Sequence, residues 1–199
     1  ITMTWTSRDL SAVLRTIIDN MDFAVNDCVA TDHAVPDSYE YARKRYSDYI
    51  TFAAGKRRIK YGFGWQAVHD SAPDTYNLLI AEFQGCMNTL KPFRVWSGAS
   101  DKTVFTSPQI NHAFRFVHDT DHVILGADLT HDGEVKVIVP FVMEVFHAAG
   151  FVAAVLCACD LLGQLWYGTN NHGAFVENQE AFVKQLYSYL MHHHGAQHG

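Results

Sequence analysis

The sequence predicts a mainly α-helical fold, a compact helical bundle of about six to seven helices, with a small β-hairpin or extended excursion near residues 92–105. Three observations carry this expectation. Apolar residues recur at helical spacing in most of the chain, turn signals cut it into helix-length pieces, and two short β-prone runs flank a Gly-Ser turn in KPFRVWSGASDKTVF. With 199 residues and 48% hydrophobic residues, the chain is long enough to bury a core without disulfides or structural metal. A single helical domain over 1–191 followed by a His-rich tail over 192–199 is therefore expected.

At the N-terminus, TWTSRDLSAVLRTIIDNMDFAV offers Thr6 as cap, with Leu10, Val13, Leu14, Ile17, Ile18 and Met21 on one helical face. Residues 38–54 repeat aromatics and form a second helix, and Gly55, Gly62 and Gly64 predict irregular chain to about residue 72. Asp74 caps a third helix that Pro92 ends, and Ser107-Pro108 opens a fourth that runs to about Leu125. The segment 134–147 suits either a strand or a helix bent at Pro140, and the helix is preferred. Two further helices follow over 150–167 and 176–191.

Composition narrows function. A charged fraction of 18% and a net charge of −6 argue against a nucleic-acid protein that neutralises many phosphates. Arg43, Lys44, Arg45, Lys56, Arg57, Arg58 and Lys60 form a local basic cluster, read as a solvated face or as a phosphate contact. Of Cys28, Cys86, Cys157 and Cys159, only the last two are close, and their C-x-C spacing matches neither a zinc ribbon nor a thioredoxin motif. Buried free thiols in a reducing compartment are expected. No signal-peptide pattern is present and no apolar run reaches the ~18 to 20 residues of a membrane span, so the expected location is cytoplasmic, without a membrane partner.

The chemistry concentrates in RFVHDTDHVILGADLTHDGE, residues 115–134. On a helix His118 and His122 are one turn apart and share a face, where two imidazoles can hold one transition-metal ion while Asp119 ligates or fixes a tautomer. The spacing alone is weak, because His-Asp recurs at 69–70 and 131–132 in a chain with 12 histidines. Asp160 stands alone among apolar residues in AVLCACDLLGQLW, and Glu82 in YNLLIAEFQGCM, so each must be paired, protonated or metal-bound. Glu134 at the start of the next helix is a first-turn carboxylate or a further ligand. Helix-bridging hydrogen bonds with one buried ion pair, such as Asp160 with Arg115, would explain the same residues without metal. Glu144 and His147 form a Glu-x-x-His pair held in reserve.

Asn111, Phe114, Arg115, Val117, His118, Asp119 and His122, then Gly133-Glu134, then Asp160 with Gly163-Gln164 resemble the N-x-x-F-R-x-V-H-D…H…G-E…[DE]-x-x-G-Q pattern of an uncharacterised family of phage and mobile-element proteins. An upstream AEFQ and a downstream Gly173, Phe175 and Gln179 extend the resemblance over residues 76–183. It implies a shared metal-like constellation and brings no established reaction. Members often carry a histidine soon after the Gly-Glu pair, whereas residues 135–143 contain none, leaving His147 as a substitute or the ligand missing. More loosely, VHDTDHVILG is similar to the His-Asp segment of HD-domain phosphohydrolases, in which His118, Asp119 and Asp160 would fill three metal-binding roles and His69 or His112 the fourth.

Three functions follow. A metal-dependent phosphohydrolase would use manganese, magnesium, zinc or nickel on a nucleotide or related small phosphoester, with Arg115 holding phosphate and Asp121 or His122 as acid or base. A ferritin-like di-iron protein would recruit Glu82, His118, His122, Glu134 and Asp160. A non-catalytic phage protein would use the cluster to pin helices, its 13 Phe and 9 Tyr supplying a core and a homo-oligomer interface.

Overall fold

The computed structural model describes residues 10–12, 14, 15 and 34–195. The chain is mainly α-helical, as the sequence predicts, with one small two-stranded parallel sheet. Residues 10–12, 14 and 15 are helical, with Leu10 and Leu14 buried, while the Thr6 cap and the remaining residues of the first expected helix lie outside the described residues. The elements with described bounds are α1 (Ser38–Tyr61), β1 (Trp65–Val68), α2 (Tyr76–Thr89), β2 (Phe93–Trp96), α3 (Pro108–Leu125), α4 (His131–Ala149), α5 (Phe151–Asn170) and α6 (Gln179–Gly195). Chain contacts divide them into two compact units: Ser47–Val139, and the described residues through Tyr46 together with those from Pro140 on.

In the unit Ser47–Val139, β1 pairs with β2 in parallel, Trp65 opposite Phe93 and Val68 opposite Trp96, and α2 is the crossover between them. This corrects the hairpin: β-prone residues at 93–96 find their partner upstream, in a stretch where glycines suggested irregular chain. Gly55 lies inside α1, which continues to Tyr61, so one helical glycine did not outweigh its neighbours. Phe63, Trp65 and Phe93 converge on the fully buried Phe116, with Trp65 stacked on it at 5.3 Å, which fixes the sheet against α3. Thr75, not Asp74, caps α2 by accepting from the Leu78 N–H, and Leu90 ends the helix in the left-handed region.

Both ends of α3 follow from local rules. Ser107 accepts from the Ile110 N–H, Pro108 occupies the first turn, and Gly126 closes the helix at φ 58°. The disputed segment 134–147 is helical within α4, and Pro140 sits inside that helix on an exposed position. Proline removes one N–H there without ending the helix.

In the other unit, α5 buries residues 151 and 153–163 and packs on α6. A Cβ at Gly163 would stand 2.9 Å from Leu186 Cδ2, so the glycine sets how closely the two helices approach. Arg45 donates to the carbonyls of Ala148 and Ala149, capping the C-terminal end of α4, and Ser38 Oγ lies 2.9 Å from the Tyr187 hydroxyl. By length and composition α5 does reach the membrane-spanning threshold, which corrects the sequence reading, yet most of it is buried within the fold as a core helix.

Candidate metal centre

The i, i+3, i+4, i+7 spacing places Arg115, His118, Asp119 and His122 in one stripe along α3. Opposite them stands Glu134, the fourth residue of α4. The connection between the helices is tightly specified. Asp128 Oδ1 accepts from the N–H and the hydroxyl of Thr130, and Thr130 in turn accepts from Gly133 N–H at its hydroxyl and from Glu134 N–H at its carbonyl. A Cβ at Gly133 would overlap the Asp128 carbonyl oxygen, so only glycine lets α4 start this close to the loop.

Glu134 Oε2 consequently lies 3.2 Å from His118 Nε2 and 3.4 Å from His122 Nε2, with the two rings 4.7 Å apart and steeply inclined. The three ligand atoms fall within 4.8 Å of one another. Ligands ~2.0 to 2.1 Å from a zinc-like ion in a tetrahedral shell stand ~3.3 Å apart, so the carboxylate-to-imidazole separations fit a shared cation.

His122 supplies an independent sign. Its side chain is 0% exposed, and Nδ1 lies 3.0 Å from the Ala127 carbonyl, which fixes Nδ1 as the protonated nitrogen. Nε2 is left with a lone pair facing the cluster and, despite its 3.4 Å approach to Glu134, has no hydrogen-bond partner. An orphaned buried acceptor of this kind costs ~1 to 3 kcal/mol, and a cation at the cluster would satisfy it.

His118 has the opposite electrostatics. Burial pulls its pKa down, but hydrogen bonding and charge interactions with Asp119 and Glu134 outweigh burial and raise it to about 10. Burial likewise pushes Glu134 up, and hydrogen bonding and charge, His118 foremost, more than reverse it, leaving the carboxyl well below the usual carboxylate range. Without metal the cluster is a protonated His118 held by Glu134.

The remaining sequence candidates are distributed as follows. Asp119 Oδ1 lies 3.7 Å from His118 Nδ1, on the ring edge away from Glu134, where a carboxylate orients a ligand imidazole instead of joining the shell. Glu82 is held by Arg94, which donates to both carboxylate oxygens, at 2.8 and 2.5 Å, and its pKa is lowered chiefly by that hydrogen bonding. Asp121 receives Arg57 at 2.6 and 2.7 Å on its two oxygens. Each of these two carboxylates, expected as a ligand and as an acid or base respectively, is paired with a guanidinium. His122, expected as a ligand or as an acid or base, has a fully buried ring turned toward Glu134.

Asp160 belongs to the other unit, 2% exposed, where Gln164 donates to Oδ1 at 2.6 Å and the Tyr46 hydroxyl to Oδ2 at 3.5 Å. Arg115 donates to the Trp96 carbonyl and lies over the Trp96 ring. His69 and Asp70 pair at the surface, and His131, Glu144 and His147 are exposed. Among the described residues, His118, His122 and Glu134 form the group with metal-ligand convergence. The Ala127 carbonyl and the Asp128–Thr130 turn were missed as site-building groups; the sequence signals for them are Gly126 after a helix and the short Asp-Leu-Thr turn.

No family model, curated protein or solved structure matches this chain.

Proposed function

We propose that this chain is a metal-dependent hydrolase acting on small phosphoesters, nucleotides included, with one divalent ion held by His118, His122 and Glu134. The observation that carries the reading is the approach of both Nε2 atoms to one carboxylate oxygen, with the His122 nitrogen otherwise unpaired. Two imidazoles and one carboxylate form the three-residue donor set of open metal sites, which leaves positions for water and substrate. A divalent ion there would lower the pKa of water and neutralise phosphate charge.

The chain's own groups supply the rest. The Ala127 carbonyl holds the His122 tautomer, Asp119 steers His118, and Glu134 neutralises one charge of the ion. A di-iron reading loses support because Glu82 is committed to Arg94. The buried thiols of Cys86 and Cys157 suit the reducing cytoplasm in which such an enzyme would work.

Elemental analysis of protein purified without a polyhistidine tag tests the site. About one equivalent of manganese, zinc, iron, cobalt or nickel is expected, falling to background in His118→Ala, together with metal-dependent phosphate release from a phosphoester panel. Tag-free protein that takes up no divalent ion sinks the reading, and the cluster is then a metal-free bridge between α3 and α4.

A further inference from the structure

Arg43 pairs with Glu40 and Glu180, Arg57 with Asp121, and Arg94 with Glu82. Arg115 is different. Its guanidinium donates through one nitrogen to the Trp96 carbonyl and stacks 4.7 Å from the centre of the Trp96 ring, with no carboxylate in ion-pair contact among the described residues. Asp119, one turn on, is felt only through space, and burial pulls the Arg115 pKa down. A half-buried cation that lacks an anion is costly in a folded protein, and one on the helical face that carries the two imidazoles is a ready receptor for a ligand's charge.

Trp96 gives the guanidinium a platform. Trp96 ends β2, and a Cβ at Gly98 would overlap its indole, so the ring is packed against the Gly98 backbone while Arg115 covers it. Stacking on an indole fixes the guanidinium plane and leaves its edge donors in a set direction. Arg115 and His118 stand three residues apart on α3, ~5 to 6 Å between Cβ atoms. A tetrahedral oxyanion can therefore face Arg115 with some of its oxygens and a cation at His118 with another.

We infer that Arg115, seated on Trp96, is the anion-holding residue of this site and that its ligand is a phosphate-type oxyanion bridging the guanidinium and the ion at His118, His122 and Glu134. This rests on the metal reading above and goes further by assigning the residue that selects the substrate's charge. A guanidinium offers paired donors matched to phosphate oxygens, whereas a lysine ammonium offers a point charge.

The test measures binding of inorganic phosphate to the full chain loaded with its divalent ion, by calorimetry, with acetate as comparator and metal content determined in every sample. Wild type should bind phosphate clearly better than acetate. Arg115→Met keeps an unbranched apolar stem, removes the guanidinium, and should lose phosphate affinity at least tenfold while keeping metal content. Arg115→Lys guards against misfolding of the first variant, and it should be folded, metal-loaded and at least fivefold weaker for phosphate. Phosphate affinity within twofold of wild type in either folded variant overturns the assignment, as does metal-loaded wild type that binds phosphate no better than acetate. Wild type that holds no metal overturns the metal reading and this inference together, and the metal content tells that failure from the others.

Discussion

Gly133 lies against the Asp128 carbonyl so closely that no side chain fits between them, and this contact delivers Glu134 to the two imidazoles. The Gly-Glu pair thus has a mechanical meaning: the first residue permits the approach and the second uses it. Gly133→Ala must push α4 away from the loop. The expected result is a loss of ~1 to 3 kcal/mol in stability from overpacking and a ~10- to 100-fold drop in metal affinity from the displaced carboxylate. Denaturant titration and a competitive metal-binding assay measure the two separately, and unchanged affinity would detach Gly133 from the site.

Glu134→Gln preserves shape and removes the charge that balances the ion. In wild type, free metal at 100 times Kd should raise stability by about 2.7 kcal/mol. The variant should show little of this gain, read as the shift in melting temperature between metal-loaded and chelated protein. An undiminished shift in the variant would mean that the metal binds elsewhere.

The pH dependence of stability should change with metal. In the metal-free protein the His118 pKa is raised from 6.5 to about 10, so its contribution is fully present below about 6.5 and is lost as pH rises toward about 10. The Glu134 pKa is lowered from 4.5, so its contribution is present above about 4.5 and is lost on acidification. Chelated protein should therefore gain most from this cluster between about pH 4.5 and about pH 6.5. A divalent ion requires neutral His118, so its binding strengthens as pH rises and the metal-loaded curve should stay high above about pH 6.5. Urea midpoints across that range, with and without chelator, show the divergence, and superimposable curves would contradict it.

Asp160 offers a contrast between stability and site. Asp160→Ala removes the acceptor for Gln164 and Tyr46 in a buried setting and should cost ~2 to 4 kcal/mol. Asp160→Asn, milder because it keeps an acceptor oxygen, should retain the wild-type metal-to-protein ratio. Loss of bound metal in the asparagine variant would contradict a site made by His118, His122 and Glu134 alone.

Much of this was legible from residues alone, where short-range rules decide. Residue order alone specifies α3 from Ser107-Pro108 to about Leu125, with Pro108 in the first turn and His118 and His122 on one face, because helix phase and capping depend on neighbours a few residues away. It also marked Asp160 and Glu82 as carboxylates that need partners, since an apolar context makes an unpaired charge expensive. The partners themselves came only with the tertiary structure. Arg94 claims Glu82, Arg57 claims Asp121, and β2 pairs with β1 across a helix, because guanidiniums and strand edges are satisfied by whatever the chain's path brings near, and spacing along the sequence does not encode that path. Glu134 falls between the two: its place at the head of α4 was readable, but its contact with both imidazoles depends on the Asp128–Gly133 approach, a fit of backbone against backbone that no local pattern specifies.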